Sequence, residues 1–350
     1  MNWYNLFLTV AFIFFLFCYI PITIKKTSNS HGDFNRFLER YNKTYDDDKQ
    51  YQEHYAAFKN STDSIAKLNN NRKSKLSALY GLTKFSDMTE SEFKDRYLQS
   101  DLPTRITNRK LRRSRDGGRH KHHHRNKRAT TTTIPLKFDW RERGIVTKVN
   151  NQKKCGACWA FSTVQNMESM YALKYKNLTS LSVQQAIDCA RYDNDGCNGG
   201  DDCTFLQWLK DYSVKVYSDS TYPLHLKNEV CKLNNDSFFV QVDKYACDSF
   251  VDDEAYIVQA IATIGPVAVA VNAISWQHYV GGIIQFHCGG DFDLLNHSVQ
   301  LVGYDLTADI PYYIARNSWG EDFGDKGYLY LAIGDNLCGL ANEVSALTVL

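Results

Sequence analysis

Nine of the ten cysteines in this 350-residue chain fall after residue 150, and nine is odd. The tenth, Cys18, lies inside Leu6 to Ile20, a 15-residue run without charge that Pro21 closes. Such a run is short for a membrane-crossing helix and suits the core of a secretory signal. Residues 1–24 are therefore read as a signal peptide. An uncleaved anchor is the other reading, because no Lys or Arg precedes the run while Lys25 and Lys26 follow it. Either way the remainder enters an oxidising compartment, where disulfides persist. Nine cysteines then resolve into four bridges and one leftover thiol, a natural candidate for a reactive group.

The charge is as unevenly spread as the cysteines. The net charge of +2 conceals a block from Arg105 to Arg128 with 11 Lys and Arg, four His and one acid, Asp116. From Ala129 onward, 16 Lys and Arg face 26 Asp and Glu, about −10 in all. Nucleic-acid binding is disfavoured, since the basic charge sits in one stretch and the rest is acidic.

Residues 25–98 read as a helical, cysteine-free segment, with Tyr51, Tyr55, Phe58, Ile65 and Leu68 at helical spacing. "YGLTKFSDMTESEF" reads as an extended piece followed by an Asp/Thr-capped turn. Residues 99–128 read as a polar, basic linker with no capacity for a core. Within it "RNKR", Arg125 to Arg128, is a multibasic processing site with Arg125, Lys127 and Arg128 as its cations, and "HKHHH" is expected to hold no metal. Residues 129–350 pass from apparent helices ("CWAFSTVQNMESMYALKY", "SVQQAIDCA") to strand-like runs after about residue 238 ("PVAVAVNA", "SVQLVGYDL", "PYYIARNSW", "GYLYLAI"). The fold class is α+β.

The chemistry converges on "NQKKCGACWAFS", residues 151–162. Zinc would need a second ligand pair beside Cys155 and Cys158, with Cys197 and Cys203 as candidates, in a compartment that favours bridges. A redox dithiol would need a thioredoxin-like strand and helix that the β-rich second half does not supply. A nucleophile fits better. Cys158 opens a helix, whose positive end lowers a thiol pKa. Of the histidines outside the linker, only His297 directly precedes a strong apolar strand. Asn317 ends another strand twenty positions on, with Trp319 nearby to shield a polar contact. Gln152 and the backbone N–H of Cys158 are candidate donors to an oxyanion.

"CGACW", a downstream His, "CNGG" and "NSWG", together with "FDWRERGIVTKVNNQKK", "LSVQQAIDC" and "NLCGLAN", resemble the papain-like cysteine peptidases over residues 134–350. The resemblance implies a two-lobed fold, a helical lobe and a β-barrel-like lobe with a cleft between, behind a helical inhibitory prodomain. It implies Cys158 as nucleophile, His297 as general acid/base, Asn317 as the group that orients the imidazole, and Gln152 at the oxyanion hole. It pairs Cys155 with Cys197, Cys189 with Cys231, and Cys288 with Cys338. Cys203 and Cys247 are then either a fourth bridge or two buried thiols. In the prodomain Phe58, Ile65, Asn69, Gly81, Phe85 and Asp87 fit the family's motifs, whereas Gln50, His54, Ser61 and Thr83 depart from them.

The expected activity is cysteine endopeptidase, made as a zymogen, with no cofactor and no metal. Gly199, Gly200, Asp201, Asp202, Ala270, Leu295 and Trp319 are expected to contact substrate, and an inward-facing Asp201 or Asp202 would let the pocket tolerate a basic residue. Expected partners are peptide and protein substrates, the chain's own prodomain, cystatin-like inhibitors and a multibasic-site processing protease, acting on a monomer in the lysosome or outside the cell. A peptide-binding module without cleavage and a membrane-tethered precursor are the competing readings. Sequons stand at Asn42, Asn60, Asn177, Asn235 and Asn296, with a glycan expected to be absent beside His297.

Overall fold

The computed structural model describes residues 30–99, 101–115, 133–232 and 238–350. The expected signal, "HKHHH", Arg125, Lys127, Arg128 and Asn235 lie outside them. The described residues fall into two compact units, divided between Asp46 and Asp47. In the first, helix α1 (Ser30–Tyr41) stacks Phe34 on Phe37 at 6.0 Å and on Tyr45 at 6.3 Å.

The second unit begins with helix α2 (Asp48–Asn70), capped by the Asp47 carboxylate accepting from the Gln50 N–H. Tyr55 and Phe58, from the apolar spacing read above, are buried, while Tyr51, Ile65 and Leu68 are half-buried. The Asn69 side chain then donates to the Tyr80 carbonyl at 2.7 Å and accepts its N–H at 3.1 Å, fixing strand β1 (Leu79–Tyr80). A capping box between Thr89 and Glu92 starts α3 (Glu90–Tyr97).

The expected coreless linker is corrected over residues 102–115, which form helix α4 (Leu102–Arg115). Leu102, Ile106 and Arg109 recur at i, i+4 and i+7, and all three are buried. A narrow stripe suffices because the surface it meets supplies both apolar walls and opposite charge.

The rest follows in chain order as β2 (Lys137–Asp139), α5 (Cys158–Tyr175), α6 (Val183–Cys189), α7 (Asp202–Asp211), β3 (Val242–Asp248), α8 (Ala255–Thr263), β4 (Val267–Val271), β5 (Tyr279–Gly281), β6 (Ile283–Ile284), β7 (His297–Asp305), β8 (Tyr312–Arg316), β9 (Tyr328–Ala332) and β10 (Val344–Val349). One core gathers α5, α6 and α7 around Trp159, Phe161, Val164, Met167, Phe205 and Leu206. The other gathers the sheet residues Val269, Val299, Leu301, Tyr304 and Leu329. Among the described residues eight strands form one sheet in the order β3-β10-β4-β7-β8-β9-β6, with β2 added on β7. Helix-then-strand is thus only an approximate division: α8 sits within the β-rich half because Ile257, Val258 and Ile261 bury one face of it. Helix α5 is buried on almost every side, as a helix between two cores must be.

Four disulfides join Cys155 to Cys197, Cys189 to Cys231, Cys203 to Cys247 and Cys288 to Cys338. The fourth-bridge alternative therefore holds, and the zinc set of Cys155, Cys158, Cys197 and Cys203 does not exist. Among the described residues Cys158 is the one free cysteine.

Candidate active site

Cys158 is the first residue of α5 and is fully buried. The loop before it is held by the Cys155–Cys197 bridge and by the Gly156 N–H donating to the Cys197 carbonyl at 2.8 Å. A Cβ on Gly156 would stand 2.7 Å from that carbonyl oxygen, so the approach requires glycine. The second core supplies His297, first residue of β7, and the backbone N–H groups of Ser298 and Trp159 are directed at the Cys158 sulfur.

The Nε2 of His297 bonds the Oδ1 of Asn317 at 2.8 Å, just past the end of β8. Asn317 offers a carbonyl oxygen there, so Nε2 carries the proton and Nδ1 holds the lone pair. That Nδ1 is buried without a hydrogen-bond partner. Trp319 lies over the imidazole, with ring centroids 4.8 Å apart and no exposure of the indole. Gln152 is fixed by Ser318, whose hydroxyl donates to its Oε1 at 2.5 Å. Its amide Nε2 is left to donate to the Cys155 carbonyl at 3.0 Å and towards the Tyr97 carbonyl at 3.4 Å. The four polar residues named from sequence thus meet in one place.

What covers them is the chain's own upstream segment. The Gln99 Nε2 donates to the Cys158 sulfur at 2.9 Å, and its Oε1 accepts from the Gly200 N–H at 2.6 Å. The Gln99 N–H donates to the Asn296 carbonyl at 2.7 Å. A Cβ on Gly199 would lie 2.7 Å from the Gln99 amide oxygen. Gly199 and Gly200 therefore do let another segment come close, as their lack of side chains suggests.

Burial under this cover sets the electrostatics. Desolvation pushes the Cys158 thiol up to about 12, with the Gln99 hydrogen bond opposing it only in part. Desolvation likewise lowers His297 to about 4, against the raising effect of its Asn317 bond. In this covered state the loss of water at the sulfur outweighs the hydrogen bonds that favour its charged form, from Gln99 and from the backbone N–H groups of Ser298 and Trp159. Near neutral pH thiol and imidazole are both uncharged.

The substrate-side residues separate. Ala270 and Leu295 pack with Leu102 and Ile106 of α4 and with Phe292. The Asp201 carboxylate caps α7 through Oδ1, accepting from the N–H groups of Cys203 at 2.7 Å and Thr204 at 2.8 Å. Its Oδ2 faces the Arg109 Nε at 3.3 Å. Asp202 does not share that position: its Oδ1 accepts from the hydroxyls of Ser162 and Thr163 on α5, and burial raises it to about 6. Sequence reasoning missed Gln99, Arg109 and Glu343; only the i, i+4, i+7 spacing of Leu102, Ile106 and Arg109 signalled the covering helix. Asn296 pairs its side chain with Asn272 and the Ala273 N–H inside the protein, which leaves its amide no room for a glycan.

Comparison with known proteins agrees with this geometry. Residues 134–348 match the papain family cysteine protease model, and residues 34–93 match the cathepsin propeptide inhibitor domain. The chain is 41% identical to human cathepsin O over 296 residues, 84% of this chain and 87% of that protein. It is 37% identical to mouse cathepsin O over 300 residues, 85% and 91% of the two. Among solved structures, the digestive procathepsin L2 proteinase of Tenebrio molitor larval midgut superposes with a TM-score of 0.77 at 26% identity, covering 91% of this chain and 99% of that one. A recombinant stem bromelain precursor superposes at 0.74 with 28% identity, covering 91% and 98%. A fold of two cores, one free cysteine between them and a self-derived cover on that cysteine all agree with these matches: the chain belongs to the papain family of cysteine proteases and is a cysteine endopeptidase in its zymogen form.

Proposed function

We propose that Cys158 and His297 carry out peptide hydrolysis once the segment up to about residue 128 has been removed. With Gln99 gone, water reaches the sulfur and imidazole, and the proton moves from Cys158 to His297 Nδ1. The thiolate attacks the scissile carbonyl carbon, and the oxyanion accepts from the Gln152 amide and the Cys158 backbone N–H. His297 gives its proton to the leaving amine, and a thioester remains on Cys158. It then takes a proton from water, which attacks the thioester carbonyl; the acid product leaves and the thiolate is restored. Asn317 holds the imidazole in the one tautomer that leaves Nδ1 towards the sulfur, and Trp319 keeps that bond dry.

The observation that carries the reading is the occupancy of these groups by the chain itself, with the Gln99 amide on Cys158 and the Tyr97 carbonyl beside the Gln152 amide. Labelling of Cys158 by an epoxide thiol inhibitor tests it. The intact chain should react negligibly at pH 7 and the processed chain rapidly; equal rates before and after removal would refute it. The multibasic run Arg125 to Arg128 suits cutting by a separate processing protease, and replacing it by alanine should then slow maturation. The Cys-rich acidic peptidase part suits a lysosomal or extracellular setting, action as a monomer and control by cystatin-like inhibitors. No helix among the described residues is long and apolar enough to cross a membrane. Asn177 is exposed and is the better glycan acceptor.

A further inference from the structure

Asp202 is a buried carboxylate that the reaction above leaves unused, and it stands behind the nucleophile. Its Oδ1 accepts from the Ser162 hydroxyl and, at 3.0 Å, from the Thr163 hydroxyl, both one turn after Cys158 on α5. The Ser298 hydroxyl lies close to the same carboxylate, buried and short of a full hydrogen bond, while the Ser298 N–H is directed at the Cys158 sulfur. Among the described residues no Lys or Arg forms an ion pair with Asp202. The ionisable groups around it are Asp201, beside it in the chain, Cys158 on α5, and His297, next to Ser298 on β7. Arg109 of α4 is held by Asp201, at 3.3 Å, and by Glu343 instead. These contacts suit either protonation state of Asp202. The Ser162 Oγ also lies 3.1 Å from the Trp159 carbonyl. Beside an ionised Asp202, Ser162 gives its one proton to the carboxylate; beside a protonated one, it accepts the carboxyl proton and turns its own to the Trp159 carbonyl. Asp201 differs, since backbone N–H groups fix its Oδ1 and offer no such reversal.

We propose that Asp202 is an electrostatic brake on Cys158: ionised, it opposes the thiolate, and protonated, it releases it, so that the mature enzyme is held to acid surroundings. The proposal rests on the peptidase reading above. A negative charge near the sulfur disfavours the sulfur's own charged form, and Asp202 acts on Cys158 in that direction. His297 is set by burial and by its Asn317 bond, so the carboxylate bears on the sulfur and the imidazolium does not offset it. Burial raises Asp202 to about 6, against the lowering effect of its hydroxyl partners. Removal of α4 takes Arg109 away from Asp201, and an Asp201 without its cation favours a neutral Asp202. The brake is then off below about pH 6 and on above it. In the zymogen the device is idle, because Gln99 already occupies the sulfur.

The test follows alkylation of Cys158 by iodoacetamide, an uncharged probe, in the processed enzyme between pH 5 and pH 7.5. In the unaltered enzyme the rate should fall about threefold or more as pH rises through the Asp202 titration. In Asp202→Asn that fall should vanish, leaving a rate at pH 7.5 close to the rate at pH 5. Ser162→Ala removes one donor to the ionised carboxylate and should move the fall to higher pH. If the unaltered enzyme shows no fall, or if Asp202→Asn keeps it, the proposal is overturned. It is equally overturned if Asp202→Asn slows alkylation by the same factor at every pH, which a merely structural carboxylate would do. Should Asp202→Asn fail to fold, Ser162→Ala decides alone, and a fall at an unchanged pH overturns the proposal. If the processed, unaltered enzyme is not alkylated at Cys158 at any pH, the peptidase reading fails and the brake with it.

Discussion

The upstream segment grips the peptidase part by two different means. Residues 77–98 use main-chain pairing and aromatic packing. β1 pairs antiparallel with β5, and Phe85, Phe93 and Tyr97 pack around Trp319, with Phe85 and Phe93 centroids 5.5 and 5.4 Å from it. Gln99 and helix α4 add polar and charged contacts to the packing of Leu102 and Ile106: one amide on a sulfur, and one arginine between two acids. The first grip is directional and apolar, and it would serve on any enzyme with an aromatic patch. The second takes its shape from the groups it silences. Division of labour follows: one region supplies affinity, the other makes that affinity inhibitory.

Breaking each grip should separate the two. Phe85→Ala opens the aromatic cluster and should cost about 3–5 kcal/mol of docking. Unprocessed chain should then label at Cys158 at pH 7 at least about a hundredfold faster. Arg109→Ala strands two buried carboxylates, at about 3 kcal/mol, the low end for a broken buried pair because Lys110 remains beside Glu343. Here labelling should rise less, while susceptibility of α4 to limited proteolysis rises more. If Arg109→Ala unmasked Cys158 as fully as Phe85→Ala, the division would collapse.

The smallest expected effect concerns acid. His278 is buried where residues 81–86 dock: its carbonyl accepts from the Gly81 N–H and its Nδ1 meets the Ser86 hydroxyl at 3.2 Å. Burial lowers it to about 4. A histidine depressed on docking favours the docked state above its free value near 6.5, and that contribution is lost as pH falls from 6.5 towards 4. Between pH 6.5 and 5 the loss is about 2 kcal/mol. His297, also lowered to about 4 under the cover, titrates with the same sign. Labelling of the intact chain should therefore accelerate below pH 6.5, and His278→Gln should flatten part of that rise. An unchanged profile would remove His278 from the acid response.

Much of this was legible in the sequence. Cys158, His297, Asn317 and Gln152 announce themselves through motif and through the odd cysteine count, and the structure brings them together. The long helix α5 and the strands β4, β7, β8 and β9 follow from apolar runs that can only be buried. Helix α4 was opaque for the opposite reason. Its sequence, "LPTRITNRKLRRSR", lacks the apolar content of a core helix, and its burial depends on acids nearly a hundred and more than two hundred residues away. Asp201 and Asp202 look equivalent as neighbours, but the first residue caps α7 and the second lies inside its first turn, which turns them to different surroundings. No local signal marks Glu343, which pairs with Arg109 and Lys110 of α4.

The pairing of β1 with β5 has a consequence beyond inhibition. Among the described residues β5 has no other strand neighbour, and the same upstream stretch also meets β6, where the Ala78 N–H donates to the Ile283 carbonyl at 2.7 Å. A newly made chain therefore carries its own guard over an open ladder, and maturation discards it. From then on Ile283 presents a bare main-chain donor and acceptor beside Gly281, the template on which extended chains add. The active protease should be the stickier and shorter-lived form, so that the step that switches it on also starts its clock.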